Sequence, residues 1–217
     1  MGSAILFAGT GCLGNLDPAD ESPTEQDVPG CTQKEEWDAD ITTRPAESPP
    51  DSISARRDCA NADRPEPTGD VCETFEKTGG DGETTEIHSV GVRPYPNPPS
   101  DFDGETLREF VKKYERAYNQ NQTVSGDGAN IVLFSFGIQD TTVSTAAGGV
   151  SSVVVEYSTT VRVYRRDGSG ALADGFWAGA HYGIDETGIV RAQVEDPDFY
   201  IDDLPDPVET GDLLQCF

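Results

Sequence analysis

Between residues 103 and 120, apolar side chains recur at the spacing of a single helical face, and no other feature restricts the fold as much. Leu107, Phe110, Val111, Tyr114, Ala117 and Tyr118 stand at i, i+3, i+4, i+7, i+10 and i+11, one continuous stripe on a helix of 3.6 residues per turn. Asp103 is placed to cap the first turn, and Glu105 lies where the helix dipole favours negative charge. Such a stripe must be covered.

The cover is supplied by runs of period two. Residues 130–138 form a short apolar run, and residues 151–166 alternate over a longer span: Val153, Val155, Tyr157, Thr159, Val161 and Val163 point one way, Glu156, Ser158, Thr160 and Arg162 the other. A turn of hairpin composition at 167–170 returns the chain into 176–184, where Phe176, Ala178, Ala180, Tyr182 and Ile184 share a face. A second turn at 185–188 leads into Ile189, Val190, Arg191, Ala192, Gln193 and Val194. A further short strand is expected at 85–93, stopped by the prolines that follow. The pattern predicts an α+β fold with one amphipathic helix packed on a four-stranded antiparallel meander sheet, preceded by a loop-rich acidic segment.

Helix followed by long strands, over about residues 85–195, resembles the cystatin-like and NTF2-like α+β folds, in which the helix lies in the concave face of the sheet. The resemblance implies that a pocket between helix and sheet would be lined by Tyr114, Tyr157 and Tyr182. A Q-x-V-x-G run at 122–126 is similar to the inhibitory wedge of cystatins, although here it follows the helix directly instead of joining two strands.

Charge narrows the function. With 40 Asp and Glu against 15 Lys and Arg, the net charge is -25, which repels phosphate backbones and anionic lipid heads and argues against a nucleic-acid partner. Only Lys34, Lys77, Lys112 and Lys113 are lysines, and Met1 is the single methionine. This composition resembles that of proteins from extremely halophilic archaea, whose charges molar salt screens to about 3 Å.

The N-terminal run "AILFAGTGCLG" carries two signals. Gly9, Gly11 and Gly14 have G-x-G-x-x-G spacing, but a dinucleotide site needs a helix after the third glycine. The Pro- and acid-rich stretch that follows Gly14 forbids the helix and repels phosphates. The same run is apolar, ends in the small residues Thr10 and Gly11 before Cys12, and precedes a polar segment. It resembles the start of haloarchaeal surface lipoproteins, which implies lipidation of Cys12 and a membrane partner reached through that anchor. The expected organisation is a signal and lipobox segment at 1–12, an acidic Pro-rich tether or loop-rich lobe at 13–84, and an α+β domain with an acidic C-terminal tail at 85–217.

Cys31, Cys59, Cys72 and Cys216 remain after Cys12, an even set open to three pairings and free of C-x-x-C spacing. Disulfides in an oxidising exterior are the economical reading. Cys59 with Cys72 would close a short loop, a crosslink of roughly 3 kcal/mol in the chain-entropy model, leaving Cys31 for Cys216. Asn121, Gln122 and Thr123 form an N-glycosylation sequon. His181 falls on the face opposite Tyr182, so alternation assembles no acid–base pair with Asp185, Glu156 or Arg162 and the histidine reads as structural. The acidic run at 196–209 lacks the spacing of a calcium loop and reads as solvated. No catalytic, cofactor or metal residues are assigned. The expectation is an exported, lipid-anchored cell-surface protein of a halophile acting as a binding or structural module, with an NTF2-like ligand-binding or enzymatic domain, or a cystatin-like protease inhibitor, as alternatives.

Overall fold

The computed structural model describes residues 41–46, 48–66, 74–78, 82–127, 130–145, 149–165, 169–194 and 204–217. Among the described residues there are three α-helices: α1 (Ile53–Arg56), α2 (Gly104–Asp127) and α3 (Pro207–Thr210). Seven strands accompany them: β1 (Thr74–Thr78), β2 (Thr84–His88), β3 (Ile131–Thr145), β4 (Ser151–Tyr164), β5 (Gly170–Asp185), β6 (Gly188–Val194) and β7 (Asp212–Cys216). The first two form a separate antiparallel hairpin, and the other five form a meander in the order β3-β4-β5-β6-β7.

Helix α2 begins where the sequence says it should. The Asp103 carboxylate accepts hydrogen bonds from the backbone N–H groups of Glu105 at 2.8 Å and Thr106 at 3.0 Å, satisfying two of the orphan donors of the first turn. Its stripe is covered by the sheet. Leu107, Phe110, Val111 and Tyr114 pack in one core with Val153, Val155 and Tyr157 of β4, Ala180, Tyr182 and Ile184 of β5, Ile189 of β6 and Leu214 of β7. Fully burying a side chain of this size stabilises by about 1.5–3 kcal/mol, so this interface fixes the fold.

Four expectations are corrected. The sheet has five strands, because the chain after residue 204 is not a solvated tail: α3 and β7 return to pair Arg191 with Asp212 and Gly188 with Cys216, burying Val208, Leu213 and Leu214. The helix continues past 120 for another seven residues, so 122–126 is its last part, with Val124 buried and Gln122, Ser125 and Gly126 exposed, not a tip between strands. The expected strand at 85–93 ends at His88. Finally, the break expected at residue 85 falls inside the β1–β2 hairpin, where Thr85 pairs with Lys77. Residues 41–46 and 48–66 belong to the folded body: Ile53 and Cys59 share a second core with Val150, Val190, Val208, Leu213 and Cys216 on the sheet face opposite α2.

Cysteine pairing differs as well. Cys59, in a 3-10 turn, is bonded to Cys216 at the end of β7, with Cα atoms 5.8 Å apart. This excludes both Cys59–Cys72 and Cys31–Cys216. Cys12, Cys31 and Cys72 lie outside the described residues.

Candidate functional site

Tyr114, Tyr157 and Tyr182 do converge between helix and sheet, on α2, β4 and β5. They line neither of the two clefts found among the described residues. All three are buried in a filled core, where Tyr157 and Tyr182 contact an ion pair. Glu115 of α2 and Arg191 of β6 meet in bidentate geometry, Arg191 Nε donating to Glu115 Oε2 at 2.9 Å and Nη2 to Oε1 at 2.8 Å. The Tyr182 hydroxyl donates to the same Oε2, and Asn119 Nδ2 donates to Oε1 at 2.8 Å. Arg191 is held further by Gln193 Oε1 at 2.9 Å and the Tyr157 hydroxyl at 3.3 Å, with the Tyr118 ring 4.2 Å from its guanidinium carbon. Side-chain exposures of 0% for Glu115 and 6% for Arg191 show that this charge pair is shut away from water.

Burial alone would push the Glu115 carboxyl up, but the Arg191 charge and the hydrogen bonds from Arg191, Tyr182 and Asn119 hold it below its ordinary value. Burial would likewise lower Arg191, yet Glu115 drives it well above. Desolvation and the adjacent carboxylate push Tyr157 up to about 12 and Tyr182 well above its usual range. Four hydrogen bonds thus converge on one carboxylate, from Arg191, Tyr182 and Asn119, and the Tyr157 and Tyr182 phenols stay protonated. A closed group of this kind orients α2 on β6 and presents no face to a substrate; it is structural.

The remaining residues named from sequence are also structural or separate. His181 is buried on the opposite face, with Nε2 2.6 Å from Ser152 Oγ. Burial pushes its imidazole down, against Pro205 and Asp206. Asp185 caps its own turn through Thr187 N at 2.7 Å and accepts from Ile53 N at 2.7 Å, tying α1 to the sheet. Glu156 is half-buried on β4, and Arg162 is exposed on the same strand. A glycan at Asn121 does not fit this fold, because the side chain is fully buried. Its Nδ2, the atom a glycan would occupy, donates to Arg93 O at 2.9 Å while its Oδ1 accepts from Arg93 N at 2.8 Å.

That last contact builds the open site. Asn121 grips both backbone groups of Arg93, and its neighbour Gln120 donates to Gly91 O at 2.8 Å and accepts from Arg93 Nε at 3.0 Å. Residues 91–96 are thereby strapped along α2. Tyr95 is locked in turn: its hydroxyl donates to Pro65 O at 2.9 Å, and its ring lies 4.3 Å from the Arg64 guanidinium carbon and 4.8 Å from the Tyr114 ring centroid. Between this strap, α2 and the outer strand β3 is a cleft of about 540 Å³. Pro94, Tyr95 and Pro96 form one wall, Phe136 and Ile138 of β3 another, and Arg93, Lys112, Lys113 and Arg116 supply positive charge.

Four of the chain's 15 cationic side chains, two of its four lysines among them, gather here. Arg93 is committed to Gln120, and Lys112 pairs with Glu109 at 3.0 Å. Lys113 and Arg116 are exposed, and no ion pair joins either to a described carboxylate. Like charges three or four residues apart on a helix cost about 0.2–0.5 kcal/mol each, so this grouping does not serve the helix itself. Sequence reading assigned these positions no role, because Glu109 and Glu115 lie among them on the helix, and only the fold commits those acids to Lys112 and Arg191. A second, larger cleft of about 690 Å³ runs by Arg57, Asp63, Arg64, Glu66 and Asp212, where both signs of charge are mixed.

Among the described residues, no three His, Cys, Asp or Glu side chains gather to hold a metal ion, and no helix is long and apolar enough to cross a membrane. Comparison with protein families, with curated proteins and with solved structures found no match, so the site is read from its own geometry.

Proposed function

We propose that this chain is an exported cell-surface protein of a halophile, lipid-anchored through Cys12, whose folded part is a binding module and not a catalyst. One observation carries the reading: the buried bond between Cys59 and Cys216 joins positions 157 residues apart and secures the last strand of the sheet. Disulfides of this structural kind form and persist in oxidising compartments outside the cytosol. The net charge of -25 suits a surface bathed in concentrated salt, where self-repulsion is screened. Binding, as opposed to chemistry, is favoured because the tyrosine-rich interior is sealed around an ion pair while the accessible cleft holds cations and apolar walls.

Intact-mass spectrometry of the membrane fraction tests this. The expected product begins at Cys12, carries a lipid mass and lacks the hydrogens removed by disulfide formation. Recovery from the soluble fraction of a chain that begins at Met1, with free thiols and no lipid, would refute it.

A further inference from the structure

From the cleft between the 91–96 strap, α2 and β3 we infer a binding site for a small apolar carboxylate, an aromatic or branched aliphatic acid. The site's chemistry has two halves that call for a ligand with two halves. Lys113 and Arg116 stand three residues apart on one face of α2, exposed and without a described ion-pair partner. Arg offers a planar fork of N–H donors matched to a carboxylate, and Lys a mobile point charge beside it. Opposite them, Tyr95, Pro96, Phe136 and Ile138 present apolar surface, all only partly buried. An anion without an apolar body would leave that wall wet, and a neutral hydrophobe would leave the cations unused.

Size and rigidity agree with a small ligand. A volume of about 540 Å³ lies within the roughly 300–1,000 Å³ of small-molecule sites. The wall is also preformed: Gln120 and Asn121 hold the strap through four hydrogen bonds to residues 91 and 93, and Tyr95 is fixed at both its hydroxyl and its ring. Little conformational entropy is then lost on binding. A polyanion is a poor fit, since beyond the cleft it meets a chain of net charge -25. The inference stands whether or not the chain is exported, because it uses only the geometry of the cleft.

Titration calorimetry of the full chain, at a salt concentration where circular dichroism shows it folded, decides the matter with three probes: 2-naphthoate, its uncharged isostere 2-naphthamide, and inorganic phosphate. We expect 2-naphthoate to bind with Kd below about 1 mM and the amide at least about tenfold more weakly. Phosphate should neither bind measurably nor compete. The double variant Lys113→Gln/Arg116→Gln should lose about tenfold in naphthoate affinity with an unchanged thermal midpoint, since both side chains are exposed. Equal binding of acid and amide, competition by phosphate at comparable concentration, undiminished binding by the double variant, or no binding of naphthoate by the folded wild type would each overturn the assignment.

Discussion

Consider removing Arg191 by an Arg191→Met substitution. Glu115 would then keep its hydrogen bonds from Tyr182 and Asn119 but lose both donors of the guanidinium, leaving a fully buried carboxylate without a counter-charge. Breaking a buried pair from one side costs about 3–5 kcal/mol. The reverse change, Glu115→Leu, strands a guanidinium that still has Gln193, the Tyr157 hydroxyl and the Tyr118 ring and is nearer the surface, so about 2–4 kcal/mol is expected. Joined in Glu115→Leu/Arg191→Met, the two changes remove both charges together. The double variant should lie within about 2 kcal/mol of wild type, because a buried pair and a well-packed apolar replacement differ little. Urea denaturation with the disulfide intact measures this: with m of about 2 kcal/mol/M, Arg191→Met lowers the midpoint by about 2 M and the double variant by less than half of that. Single variants within 1 kcal/mol of wild type, or a double variant as weak as the sum of the singles, would refute the assignment of this pair as the lock between α2 and β6.

The same variants carry a pH signature of known sign. In wild type the folded Glu115 carboxyl titrates below its ordinary 4.5. The stability it brings is therefore complete above about pH 4.5 and is lost as pH falls through the depressed folded value. In Arg191→Met the opposing guanidinium is gone, burial prevails, and the carboxyl titrates above its ordinary value. That variant recovers stability as pH falls and its buried carboxylate takes up a proton. The stability gap between the two should be widest near pH 7 and close toward pH 4. A gap that stays constant over that interval would contradict the argument.

Two further perturbations test the frame around the site. Replacing Cys59 and Cys216 together by serine releases a loop of 157 residues, worth about 5 kcal/mol in the chain-entropy model; a midpoint in urea that moves by less than a tenth of wild type would show that β7 is held by pairing alone. Gly211→Ala would set a Cβ 2.6 Å from Pro207 O and 2.7 Å from Arg191 O, both backbone atoms, so a loss of about 2–3 kcal/mol is expected, read from the shift in thermal midpoint.

What the sequence made legible was periodic and local. The α2 stripe and the β4 alternation each repeat over several turns or pleats, and their buried faces are those expected, Leu107 to Tyr114 against Val153 to Tyr157. Strand β7 was not legible, since five residues after a proline- and acid-rich stretch cannot display a period of two. The disulfide depended on where that strand returned, and so was missed with it. Helix α2 was cut short because Gln120 and Asn121 are polar, although both are buried and hold the strap. For the ion pair a signal did exist. Arg191 lies between Ile189 and Gln193 in an alternating strand, and Ile189 faces the helix, which puts Arg191 on that side as well; Glu115, adjoining Tyr114, lies at the edge of the stripe. Either residue alone reads as solvated, and only the meeting of helix and strand reveals the pair.

Three populations of charge in this protein answer differently to salt. Acids spread over the surface repel through solvent, and molar salt with a screening length of about 3 Å removes most of that repulsion. The Glu115–Arg191 pair, at 2.8 Å and without solvent between its members, hardly registers the ionic strength. Lys113 and Arg116 fall between these limits: they attract distant anions only in dilute solution, but a carboxylate already in contact is less screened than one a Debye length away. Under concentrated salt the charge alone is therefore a weak source of affinity in the cleft, and retention depends on what the apolar wall of Tyr95, Phe136 and Ile138 can cover. That is why an acid with an apolar body fits the cleft in such a medium, whereas a bare anion does not.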